Sequence, residues 1–209
     1  MKQLKRNNKI EKLYQLLKRK HNSPNAQWSL WCKRKKTERE REEVVIGAIL
    51  TQRTNWKNVE RAIDNLKKEG VDSLNKIAHL KIRKLQEIIK PAGFYKTKSR
   101  YLLNLARFIV KKYGNIKRLK KEKTKELRQE LLRLRGIGEE TADSILLYAL
   151  DKPVFVVDEY TRRLIKREGI CRKTSYSFLQ NLFEKSLRKD FRLYQDFHAL
   201  IVTDGKSEK

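Results

Sequence analysis

The residues with chemistry to offer concentrate between Leu131 and Arg163. Thr124 to Leu134 carries Leu127, Leu131 and Leu134 at the spacing of one helical face. Arg135-Gly136-Ile137-Gly138 then interrupts the pattern, with two glycines where a tight turn calls for positive φ. Glu139 to Leu150 resumes the helical period through Ala142, Ile145, Leu146 and Ala149. Helix, short turn and helix make a helix-hairpin-helix, whose turn brings backbone N–H groups to a helix start where they can hold a phosphate. Pro153 ends the second helix, and Val154-Phe155-Val156-Val157 is an apolar run too short for another. Asp158 then heads the helical segment Glu159 to Glu168. It is a carboxylate delivered beside a phosphate clamp, and equally a good N-cap for its own helix.

Composition agrees with a polyanionic partner. Lys and Arg number 52 against 25 Asp and Glu, a net charge of +27, in a chain of 209 residues that can bury one large core or two small ones. No apolar run is long enough to span a bilayer and no N-terminal signal pattern appears, so nucleic acid is the expected partner, not membrane. Cys32 and Cys171 allow at most one disulfide and suit a reducing compartment, which makes the cytoplasm (with the nucleoid, in a prokaryote) the expected location. His21, His79 and His198 are dispersed and make no metal-ligand set. The G-x-G joins two helices, not a strand to a helix, so a dinucleotide fingerprint is excluded.

Other stretches must position these groups. Met1 to Lys20 reads as a basic amphipathic helix, either docking on the core or touching DNA phosphate. Trp28 and Trp31 stand together in polar surroundings, either as a satellite apolar patch or as an aromatic wall for an extruded base. Val44 to Leu50 reads as a buried helix leading into Thr51-Gln52-Arg53-Thr54-Asn55-Trp56. Trp56 is either an ordinary helix-start core residue or a further aromatic for the base. Further helices are expected over Ser99 to Tyr113, Ser175 to Leu187 and Arg192 to Thr203, with Lys206 after the last.

The hairpin, apolar run and Asp together resemble the DNA glycosylases of the endonuclease III superfamily. The resemblance runs over roughly 28–206 and implies an all-α, two-lobed fold. Residues 39–150 would form a helical barrel carrying the hairpin (about 124–150), with 1–38 and 151–209 as the second lobe. It makes Asp158 the catalytic carboxylate and Gln52 the wedge filling the hole of a flipped nucleotide. Arg53, Arg135, Gly136, Ile137 and Gly138 are then DNA-binding residues, and Trp28, Trp31, Trp56 and Lys206 line the base pocket. Gly93-Phe94-Tyr95 is similar to a turn that packs the barrel. Members that also cut the backbone place a Lys eighteen residues before the Asp, and here that position is Glu140. Many members end in a four-cysteine iron–sulfur loop; this chain closes at Lys209, and no cluster is expected. Trp28 and Trp31 are similar to the Trp-Trp-Pro segment of the cluster-less, alkylated-base branch, although Ser29-Leu30 splits them and no Pro follows.

The implied activity is a monomeric glycosylase acting on double-stranded DNA that contains a damaged base, monofunctional and directed to alkylated purines such as 3-methyladenine. Two alternatives stay open: a bifunctional glycosylase/lyase for oxidised bases using another amine, and a non-catalytic DNA-binding protein that uses the hairpin as a clamp. Glu139 and Glu140 suit the positive helix start but would repel an arriving phosphate, with Arg133 and Arg135 to offset them.

Overall fold

The structure, a computed structural model, describes residues 2–24 and 26–207, with the backbone alone for 2–8 and 26. All regular structure among the described residues is helical, as the all-α expectation requires. The chain divides into two compact units, one formed by residues up to 34 together with those from 146 on, the other by Lys35–Ile145. The sequence-based boundaries lie four or five residues further along.

The continuous unit is built on α2 (Glu38–Leu50). Thr37 caps it reciprocally with Glu40, a capping box that contributes about 1 kcal/mol. Its half from Val44 to Leu50 is buried on every side, as an all-apolar helix must be. Around it pack α3 (Trp56–Lys68), α6 (Tyr95–Tyr113), α7 (Ile116–Lys121) and α9 (Glu139–Ser144). The short α4 (Leu74–Ala78) and α5 (Ile82–Ile88) lie against α6. The hairpin joins α8 (Thr124–Leu132) to α9, and a buried ion pair sets the two helices against each other. Arg128 donates to both oxygens of the fully buried Asp143, at 2.7 and 2.9 Å. Removing Arg128 would take both of these bonds from a buried carboxylate and destabilise the hairpin.

In the discontinuous unit, α1 (Lys2–His21) packs on α11 (Tyr176–Ser186) and α12 (Phe191–Ser207), and α12 also packs on α10 (Glu159–Arg167). Phe155 stacks on Phe183 at 4.1 Å between ring centres, with Phe197 edge-on to Phe155. The helix ends are pinned by one buried carboxylate: Asp204 accepts from Lys20 at 2.7 Å, His21 at 2.9 Å and Arg167 at 2.9 Å. Gly205 lets α10 come close to α12, because the Tyr160 ring occupies the space of a Cβ, 2.4 Å away.

Beyond Ser144 the expected α-helix becomes a π-helical turn, Ile145–Ala149. Widening the helix there leaves the Leu147 carbonyl to accept from Gln195 Nε2 at 2.8 Å and aims Tyr148 into the unit's interior.

Candidate active site

In the discontinuous unit, the irregular segment 151–157 delivers Asp158 to the head of α10. Asp158 is 9% exposed. Its Oδ1 accepts from the Thr161 amide at 2.8 Å and from the Thr161 hydroxyl at 2.9 Å, so the cap and the candidate catalytic carboxylate are one group. Oδ2 faces His198 Nε2 at 3.5 Å, an ion-pair distance longer than a hydrogen bond. Burial by itself would raise the pKa of Asp158, but the charge of His198 and the bonds from Thr161 outweigh it and lower the pKa. His198 Nδ1 lies 2.7 Å from the Tyr148 hydroxyl, which is also 3.3 Å from the Gln195 carbonyl. Burial, reinforced by the negative charges of Asp158 and Asp196, pushes the Tyr148 pKa well above 10, so Tyr148 stays a phenol.

The two tryptophans are part of the same assembly. Trp28 and Trp31 lie 5.5 and 5.2 Å from the Tyr148 ring and are perpendicular to each other. Trp28 also meets His198 edge-on at 5.9 Å. Both are more than nine-tenths buried, and Trp28 Nε1 has no hydrogen-bond partner. Lys206 donates to Gln27, next to Trp28, at 2.8 Å. Asp158, Trp28, Trp31 and Lys206 therefore belong to one unit, while Trp56, the first residue of α3, belongs to the other.

In the continuous unit a surface concavity gathers the hairpin with Gln52, Arg53, Phe94 and Lys98. Gln52 is tied to the hairpin, donating to the Gly136 carbonyl at 3.0 Å and to Thr141 Oγ1 at 3.1 Å. Arg53 and Arg135 are exposed. Gly136 has φ +89°, and the Tyr101 ring lies where its Cβ would be, 2.3 Å away. Gly138 departs from expectation: its φ is −89°, it has open space around it, and the turn needs one left-handed residue, not two. Ile137 is buried, and its amide is spent inside the turn on the Leu134 carbonyl, so it anchors the hairpin from within. The start of α9 carries no side-chain cap, leaving first-turn amides for another acceptor.

One residue of this surface differs from its sequence reading. Phe94 does not pack the barrel; it is 65% exposed with φ +46°, because the tight turn after Gly93 turns it outward. Lys98 is 2% exposed and donates to the Leu50 and Ala92 carbonyls, both at 2.8 Å. Burial lowers its pKa to about 8.

Sequence reasoning also missed His198, Tyr148 and Thr161. The last was readable from the Asp-x-x-Thr spacing of a capping box. The first two carry no local signal, since each sits on a helical face that reads as plain core.

Residues 46–189 match the model of the HhH-GPD superfamily base excision DNA repair protein. The chain is 52% identical over 169 residues to "Putative DNA repair glycosylase MJ1434" of Methanocaldococcus jannaschii, covering 79% of this chain and 77% of that one. It is 29% identical over 163 residues to an endonuclease III of Thermotoga maritima, covering 78% and 72%. Among solved structures, the H. pylori 3-methyladenine DNA glycosylase (MagIII) bound to 1,N6-ethenoadenine matches with a TM-score of 0.80 at 31% identity over 98% of both chains.

Proposed function

The chain belongs to the HhH-GPD superfamily of base excision DNA repair proteins and is a DNA glycosylase, and we propose that it excises alkylated purines such as 3-methyladenine from duplex DNA without cutting the backbone. The observation that carries this reading is a buried carboxylate of lowered pKa, Asp158, in the same unit as Trp28, Trp31 and Tyr148.

Breaking the N-glycosidic bond sends its electron pair to the departing base and leaves positive charge at C1′ of the sugar. An ionised carboxylate stabilises that charge and can take a proton from the water that adds to C1′. A purine made cationic by alkylation leaves as a neutral base, so it needs little help from a general acid. Aromatic rings and one carboxylate are then sufficient equipment. The H. pylori relative, at 31% identity, supports the same substrate class.

Lyase activity needs an amine that forms a Schiff base with C1′. Glu140 stands where the resemblance calls for that amine, and a carboxylate cannot form one. Lys98 has the pKa of a usable nucleophile, but its Nζ is buried and committed to two backbone carbonyls. Both observations support base removal that leaves an intact abasic strand.

The substrate class is tested by incubating the protein with methylated duplex DNA, and with duplexes carrying single 1,N6-ethenoadenine, 8-oxoguanine or thymine glycol lesions. Release of alkylated purines ahead of oxidised bases is expected. Release of oxidised bases with the alkylated purines untouched would overturn the assignment.

A further inference from the structure

The two oxygens of Asp158 are held in different ways. Oδ1 is saturated by the amide and hydroxyl of Thr161, whereas Oδ2 faces the more distant edge of His198. That imidazole is itself gripped from behind, with Nδ1 2.7 Å from the Tyr148 hydroxyl.

The protons on this chain can be placed by elimination. Tyr148 has one proton to give. If it donates to His198 Nδ1, the imidazole proton resides on Nε2, facing Asp158. If it donates instead to the Gln195 carbonyl, Nδ1 must carry a proton to make the 2.7 Å contact. Nε2 is then either protonated as well or bare. A bare Nε2 would set a lone pair 3.5 Å from a buried carboxylate, and among the described residues Nε2 has no hydrogen-bond partner. Each remaining arrangement turns an Nε2–H toward Oδ2.

We propose that His198 and Tyr148 are positioning residues for Asp158: Tyr148 fixes the imidazole so that its Nε2–H holds the carboxylate ionised and aimed, yet far enough away to leave Oδ2 for the substrate. This rests on the reading of Asp158 as the catalytic carboxylate. A full hydrogen bond would draw charge away from Oδ2, while at 3.5 Å His198 acts through its field. The ring planes are locked: Trp28 and Trp31 pack on Tyr148, and Trp28 meets His198 edge-on. Gln195, fully buried, completes the frame by bonding to Leu147 in the π-helical turn. Besides each other, the titratable groups acting on this pair are Asp158 from the head of α10, Cys32 from the segment after Trp31, and Asp196 on α12. Without His198, the burial of Asp158 is offset by Thr161 alone, so Asp158 should protonate at higher pH and the acid limb of the rate profile should move up.

The test uses the full chain as wild type and as Tyr148→Phe, His198→Gln, His198→Leu and Asp158→Asn. Three quantities are measured: the nitrogen shifts of His198, the carbon-detected titration of the Asp158 carboxyl, and single-turnover base release from methylated duplex across pH. Wild type should show a protonated Nε2. His198→Leu should release base about ten- to a hundredfold more slowly, with duplex affinity within about twofold. Its Asp158 midpoint should move up. His198→Gln, whose amide can replace the Nε2–H, should recover most of the rate, and Tyr148→Phe, which keeps the ring packing, should fall between. A bare Nε2 in wild type, or an unmoved Asp158 midpoint with unchanged release in His198→Leu and Tyr148→Phe, overturns the proposal. If Asp158→Asn releases base as fast as wild type, the catalytic reading of Asp158 fails instead, and the carboxyl titration alone decides the coupling.

Discussion

The carboxylate centre and the hairpin surface are built on opposite principles. Around Asp158 every group is covered: the acid is 9% exposed, one of its oxygens is doubly bonded to Thr161, and the rings beyond it are packed on one another. At the hairpin, Phe94 is 65% exposed, and Arg53, Phe94 and Gly136 all have left-handed φ. A charge that must meet a developing cation works best when its dipoles are already in place and water is excluded. A surface that must receive a duplex needs its side chains uncovered, and it tolerates backbone strain to present them. On the proposed reading, chemistry is held by burial and recognition by exposure.

The contrast predicts where substitutions will act on rate and where on binding. Asp158→Asn keeps the cap but removes the charge, so base release should drop about 10²–10³-fold while duplex affinity and fold persist. Single-turnover excision beside a binding titration reads both.

A second buried carboxylate of the same unit, Asp204, should behave as a structural one. Burial would raise its pKa, but hydrogen bonds from Lys20, His21 and Arg167 lower it to about 2. Its stabilisation is therefore present above the unfolded value near 3.8 and is lost as pH falls through about 2. Asp204→Asn should cost about 2 kcal/mol at neutral pH, and the difference from wild type should vanish near pH 2. Chemical denaturation at both pH values checks this, and a loss that persists in acid would mean that packing, not charge, is the cause.

Gly136→Ala should weaken binding to damaged and undamaged duplex alike, by about tenfold, because phosphate contacts carry no sequence information. Its Cβ would drive into the Tyr101 ring at a φ that alanine resists. The smallest effect is expected at Gly138, where a Cβ meets nothing and φ is ordinary. Gly138→Ala should keep stability within about 0.5 kcal/mol. Equal damage from both glycines would show that duplex approach, and not the turn, requires a bare backbone there.

Legibility in the sequence followed locality. The hairpin and Asp158 could be read because their residues sit within one short stretch whose periodicity changes sharply. The all-helical fold followed from the same periodicities. Tyr148 and His198 could not, because they meet across fifty residues and each looks like part of an apolar helix face. The resemblance sets Phe94 against the barrel, and only the turn after Gly93 shows which way it points. The burial of Lys98 has no local signal either, because its two carbonyl partners come from separate helix ends. Gly138 was read together with Gly136 as one motif, although the turn geometry strains only one of them.

The central claim is a glycosylase with a carboxylate and no catalytic amine. It is tested most directly by incubating the wild-type protein with methylated duplex DNA, adding borohydride, and following the freed base, the strand and the protein together. The account predicts freed alkylated purine, an unbroken strand carrying an abasic site, and no covalent protein–DNA adduct. A trapped adduct with strand scission would contradict it and point to an amine such as Lys98.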